Sequence, residues 1–422
     1  MKINNVIKLT KKLFSNKLFS NKGITNLSMK VLVKGCFFLF NLYIINTFSI
    51  SEIANFAIFY TSARFLSFFG VDSMHITCFS EIRDIYLGRK ENKDVIDQIK
   101  THLFVSHLLL LMISFFIFDE IGLIISTNLV AFVFSAIRLL TDFSRINNTI
   151  WASIIIEDLF FTFGFILLSI IFLHSFNNIV FSVTLAISIC GLFVIGYALF
   201  YFKKYLNVNF FSFWKFNFGI SRFWFFNKFT LLRGITVFVL YLSRQFGDYY
   251  YGEKMVAETQ LLIIFINVFT LISNSIIGAF QNEIVLQKDE VFNRKIFLKV
   301  YKKLTIPILY FVFSLGLLLI FFSKEALLII APKYAYLETQ FVYMILLVLL
   351  YFIVNPIFYF FYMNKRINNF KSFIIQGYLF LIIVVVSGMV IENYWVWFFA
   401  IISPLVIIPT LVSINSLISL KK

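Results

Sequence analysis

Apolar residues in this chain gather into twelve runs of membrane-crossing length, and the cations between them fall almost wholly on alternate connections. A crossing helix needs roughly 20 apolar residues. Such runs lie at about 24–47, 50–72, 103–118, 121–141, 149–173, 179–202, 229–248, 257–280, 304–323, 336–362, 372–391 and 395–418. With the N-terminus inside, the cytoplasmic connections hold 30 of the 37 Lys and Arg, and the opposite face holds Lys254, Lys324 and Lys333. Because short loops rich in Lys and Arg stay on the cytoplasmic side, the pattern predicts that both termini are cytoplasmic.

A chain that is 60% hydrophobic over 422 residues has too few polar side chains to clothe a soluble fold. The expected class is all-α: a polytopic membrane protein of about twelve transmembrane helices in two six-helix lobes around a central cavity. Residues 1–23 read as a basic amphipathic cytoplasmic segment with a tandem Leu-Phe-Ser-Asn-Lys, and no cleavable signal peptide is expected there. Residues 24–202 then form the N-lobe with helices 1–6, 203–228 a cationic cytoplasmic connection, and 229–422 the C-lobe with helices 7–12. The even split suits an alternating-access transporter.

The net charge of +16 sits in short loops beside spans, where the anionic inner leaflet attracts it, so membrane lipids rather than nucleic acid are the expected partner. Cys36, Cys78 and Cys190, like the four histidines, show no spacing that would hold a metal, and no cofactor is expected. No connection is long enough to bury a catalytic domain. No nucleophile, metalloprotease or phosphate-loop motif lies in the spans, so transport rather than an enzyme is the leading reading.

Ionisable groups within hydrocarbon are costly and usually face a partner or a watery lumen. Lys30 and Lys34 share a face of the first span with Asn41. Lys30 is placed to snorkel, whereas Lys34 lies about 15 Å from the start of the span. Arg64 falls near the middle of the second span, as a lumen-facing group or a member of a structural ion pair. In the seventh, Arg244 follows Arg233 by eleven residues, and Asp248 stands where it can neutralise Arg244 at (i, i+4). The eighth span repeats an amide every seven residues, at Gln260, Asn267, Asn274 and Gln281. This seam either lines a hydrated cavity or hydrogen-bonds neighbouring helices.

Glu157, Asp158 and Asp248 are the candidates for a coupling ion, and Pro356 after Asn355 should kink the tenth helix. Lys34, Arg64 and Arg244 together predict a cationic cavity suited to a phosphate or pyrophosphate head group, with the seam accommodating polar cargo.

Three segments carry a resemblance. Ser51-Glu52-Ile53-Ala54-Asn55-Phe56 followed by Gly70-Val71-Asp72-Ser73, Arg244-Gln245-Phe246-Gly247 followed by Val256-Ala257-Glu258, and Ala331-Pro332-Lys333-Tyr334 resemble recurring segments of the multidrug/oligosaccharidyl-lipid/polysaccharide exporter superfamily. Ala54 and Asn55 stand where that superfamily more often has Gly. Within it the chain is most similar to bacterial O-antigen flippases of the Wzx type. The resemblance implies translocation of undecaprenyl-pyrophosphate-linked oligosaccharide units to the outer leaflet of the bacterial cytoplasmic (inner) membrane. It also implies a polysaccharide polymerase and a chain-length regulator as partners. The rival readings are a drug or cation antiporter, a flippase for the peptidoglycan precursor, and, from another class, a membrane-embedded polymerase or ligase.

Overall fold

The computed structural model describes residues 21–71, 93–115, 118, 120–144, 154–206, 215–217, 237–279, 294–363 and 370–419. Helix is present in every one of the twelve expected runs, and there is no strand among the described residues. In chain order the helices are α1 (Asn21–Thr47), α2 (Ile50–Val71), α3 (Lys93–Ser114), α4 (Ile121–Ser144), α5 (Ile154–Phe163 continuing as Gly164–Phe176) and α6 (Ile179–Tyr201). The second half holds α7 (237–251), α8 (Glu253–Ala279), α9 (Arg294–Phe321), α10 (Glu338–Met363), α11 (Phe370–Ser387) and α12 (Tyr394–Ile402 and Pro404–Ser419). The protein is a polytopic membrane protein. Its exposed side chains include Leu192, Phe193, Ile383 and Val390, an exposure of large apolar groups that a hydrocarbon surrounding accommodates and water would not.

Local chemistry fixes three tight turns. Between α1 and α2 a capping box forms: Glu52 Oε2 accepts from Ser49 N at 3.0 Å, and Ser49 Oγ reaches back to Glu52 N at 3.4 Å. Between α5 and α6, Asn177 takes the left-handed conformation at φ 48° and Asn178 Oδ1 caps α6 by accepting from Phe181 N at 3.0 Å. Between α7 and α8 one residue suffices, because Gly252 at φ 80° reverses the chain without a Cβ clash.

Within the first half α2 packs on α4, α4 on α6, α5 on α6, and the start of α5 on α1. Gly191 lets α6 close onto Val133 of α4, where any Cβ would collide. In the second half α9 packs on α10 and α10 on α12. The halves meet where α8 lies against α1 and α2.

Four local features depart from the expected runs. Helix α3 begins ten residues before its apolar run, because Ile96 and Ile99 are buried on one side of a polar turn. Helix α9 likewise begins at Arg294, anchored by Phe297 stacked on Tyr301 and Phe361. Past Phe321 the chain turns by 89° into a short helix, Ser323–Ile330, in the connection to α10. It buries Leu327 and exposes Ile329, and leads to a 3-10 turn at Pro332–Leu337. Finally, α5 opens as a π-helix over Ile154–Phe163, a wider turn than sequence periodicity assumes.

Candidate functional site: the lobe boundary and the cations beside it

At the end of the boundary formed by the α1–α2 and α7–α8 turns, which the charge pattern expects to be the outer one, hydrogen bonds tie the first half to the second. Asn46 Nδ2 donates to Ile330 O at 3.0 Å, and Lys333 Nζ donates to Asn46 O at 2.8 Å. Ser51 Oγ meets Glu253 Oε1 at 2.9 Å, and Gln245 Nε2 reaches Ser62 Oγ at 3.3 Å. Deeper in this seal lies Arg244, 4% exposed, donating to Ala57 O of α2 at 3.3 Å and to Gln260 Oε1 of α8. Phe65 of α2 stacks on Tyr241 of α7 at 4.4 Å one layer further in. The segments that carry the sequence resemblance thus converge: Ser51, Arg244, Gln245 and Lys333 all belong to this seal.

Helices α1 and α8 pass each other in opposite directions, with Phe38 edge-on to Phe265 at 5.5 Å. One turn toward the N-terminus of α1 is Lys34, which is half-buried. On α2, Arg64 is exposed, its guanidinium 4.6 Å from the ring centroid of Phe134 and 3.1 Å from the Tyr60 hydroxyl. Those rings belong to an aromatic floor in which Phe37, Tyr60, Phe134, Phe161 and Phe165 touch in sequence. Stacking on ring faces holds a guanidinium while leaving its donors available. Among the described residues no carboxylate pairs Arg64.

The structure therefore divides the cations expected in one cavity. Lys34 and Arg64 retain access, whereas Arg244 is sealed, and it turns to α2 and α8 rather than to Asp248, which is half-buried on its own helix. The seam divides too. Gln260 is buried against Arg244 and faces no cavity, because its level coincides with the closed end of the boundary. Asn267, two turns deeper, is exposed. Asn274 lies on the described helix without a described side chain, and Gln281 lies outside the described residues, as do Arg233, Cys78 and residues 1–20.

Glu157 is half-buried within the π-helical opening of α5, where its carbonyl accepts from Thr162 Oγ1 at 2.8 Å. The side chain of Asp158 is not described. Among the described residues no cluster of metal-ligating side chains occurs.

The residue that periodicity passed over is Glu258. Its carboxylate is buried and accepts from the Tyr336 and Tyr394 hydroxyls, each at 2.5 Å, while Lys254 Nζ stands 3.8 Å away. It thereby ties α8 to the Pro332–Leu337 turn and to the start of α12. Its phenol partners are 78 and 136 residues distant, so only the Lys254–Glu258 spacing was visible locally. An acid with three such donors is a structural clamp of the second half.

No family model and no curated protein matches the chain. Solved structures do match its fold. A lipid II flippase MurJ in an inward closed conformation superposes with a TM-score of 0.63 at 14% identity, covering 94% of this chain and 88% of that one. An inward-facing multidrug resistance MATE family transporter of the MOP superfamily gives 0.58 at 12% identity, covering 94% and 98%. The outward-facing form of a MATE family transporter gives 0.59 at 13%, covering 97% of each. At such identities the likeness is one of fold, and it extends over nearly the whole chain.

Proposed function

We propose that this protein is a flippase that carries polyprenyl-pyrophosphate-linked oligosaccharide units, O-antigen or a related surface polysaccharide, from the cytoplasmic to the outer leaflet by alternating access. The observation that carries the reading is Arg64: a cation on a membrane-embedded helix, exposed, held on ring faces, and paired by no carboxylate among the described residues. Leaving such a group in hydrocarbon costs several kcal/mol by order of magnitude, so it calls for an anion that arrives and leaves. A guanidinium fork matches phosphate oxygens bidentately. Lys34 adds a second charge on the neighbouring helix, and Asn267 offers an amide to cargo. The prenyl chain stays in lipid beside the lobes.

The fold supports this reading, since a flippase of lipid II is among the proteins that share it. The drug-transporting relatives of the same fold supply the alternative of a cationic cargo, which an exposed arginine disfavours by repulsion.

Depleting the protein in its native cell and locating the lipid-linked units tests the proposal. A flippase leaves them on the cytoplasmic leaflet, with surface polysaccharide lost. Units accumulating on the outer leaflet would assign a polymerase or ligase instead. Intact polysaccharide with lost drug tolerance would assign an antiporter.

A further inference from the structure

Arg244 is a cation buried among neutral groups. Its acceptors are a backbone carbonyl, Ala57 O, and an amide, Gln260 Oε1, and its Nε has no partner. Among the described residues no carboxylate pairs it. A charge buried without a counter-charge disfavours whatever arrangement buries it. The closed outer end is therefore built around a group that favours its opening, and is held shut by the bonds from Asn46, Ser51, Gln245 and Lys333.

Arg64 lies seven residues inward of Ala57 on α2, about 10 Å nearer the cytoplasm at 1.5 Å per residue. Tyr60 neighbours both arginines: its hydroxyl accepts from Arg64, and it lies within electrostatic reach of Arg244. An anion seated on Arg64 is thus brought one aromatic layer below the sealed guanidinium.

We propose that Arg244 is the charge sensor of the outer gate. A pyrophosphate-type head group held at Arg64 supplies the counter-charge that Arg244 lacks, draws it off Ala57 and Gln260, and so opens the outer end, after which Arg244 is the second ligand of the same anion. The proposal rests on the flippase reading and adds to it an order of events and a reason for selectivity: neutral lipid does not unlock the gate. It also accounts for the divided seam, because release of Gln260 extends the polar face of α8 outward from Asn267 only once cargo is aboard. In population terms the anion favours the open state by its extra affinity for it.

The test uses the full chain in lipid nanodiscs, with Cys36, Cys78 and Cys190 replaced and a cysteine pair introduced as Ser51→Cys and Glu253→Cys. The pair touches across the gate, so cross-linking reports closure. The probes are undecaprenyl pyrophosphate and, as the neutral control, undecaprenol, with binding followed by native mass spectrometry. Undecaprenyl pyrophosphate should lower the cross-linking rate about tenfold, equivalent to about 1.4 kcal/mol of differential affinity, and undecaprenol should leave it unchanged. Arg244→Gln should bind the pyrophosphate lipid yet remain cross-linked, and Arg244→Lys should keep a reduced response.

Opening of Arg244→Gln to the full extent overturns the sensor, as does an unsubstituted protein that binds the lipid without opening; both leave the flippase reading standing. Failure of the unsubstituted protein to bind overturns the two together. Should Arg244→Gln not fold, the neutral lipid decides, since equal opening with undecaprenol rejects charge sensing.

Discussion

Arg64 and Arg244 are the same residue type, both set within spans and both near Tyr60, yet one lies open on an aromatic floor and the other is sealed between neutral acceptors. The floor is made within the first half, from α1, α2, α4 and α5. The seal is made between halves, where α7 and α8 close on α2. A side chain mounted on one rigid body keeps its exposure while the halves move. A side chain shared between two bodies has its exposure set by whether they are together. The contrast is the basis of the two proposed roles, Arg64 holding cargo and Arg244 reporting it.

Substitution at the floor should show the largest effect. Arg64→Ala removes charged hydrogen bonds to the cargo worth about 1.5–3 kcal/mol, so transport should fall roughly tenfold to a hundredfold while thermal stability stays level. Arg64→Lys should keep part of the activity. Surface polysaccharide measured beside membrane protein level checks both, and normal polysaccharide in Arg64→Ala would end the comparison.

Cysteine accessibility sharpens it next. Without cargo, a cysteine at 267 should react with small polar thiol reagents, and one at 260 should be protected along with those at 263 and 264, which are buried. Equal reactivity at 260 and 267 would mean that the seal around Arg244 is not closed at rest.

Stability then separates structural from functional burial. Glu258→Ala removes a buried carboxylate that accepts from two phenols, Tyr394 half-buried and Tyr336 exposed, and should destabilise the protein by about 1–3 kcal/mol through the loss of these charge-assisted bonds. Arg244→Met should hold or raise the melting temperature, because removing an unpaired buried charge offsets two hydrogen bonds to neutral acceptors. A melting temperature several degrees lower in Arg244→Met would make Arg244 a clamp like Glu258.

The smallest effect belongs to the outer turn. Ser49→Ala removes one side of the capping box and should cost about 1 kcal/mol, read as a modest fall in thermal stability with transport unchanged. A transport defect there would instead tie the α1–α2 turn to gating.

Much of this was legible in the chain. The twelve helical runs and the placement of Lys34, Arg64, Gln260 and Asn267 on them follow from rules that act within one segment. Helix ends were less legible. The first turns of α3 and α9 are polar in sequence and are helical only because Ile96, Ile99 and Phe297 find apolar partners. Glu258 was invisible as a clamp because its phenol partners come from distant parts of the chain. Glu52, singled out by resemblance, had a plain local reason in Ser49.

The sequence by itself determined that the chain crosses the membrane many times as helices, because hydrocarbon demands apolar length and satisfied backbone groups from each segment separately. It determined too which spans carry charge. Only the tertiary structure decided what each charge does, because exposure is a property of neighbours. Arg244 and Gln260 meet across two helices, and Ala57, which accepts from the same guanidinium, is 187 residues away. Periodicity places a residue on a face of its own helix, and whether that face meets lipid, cavity or another lobe depends on how the helices assemble.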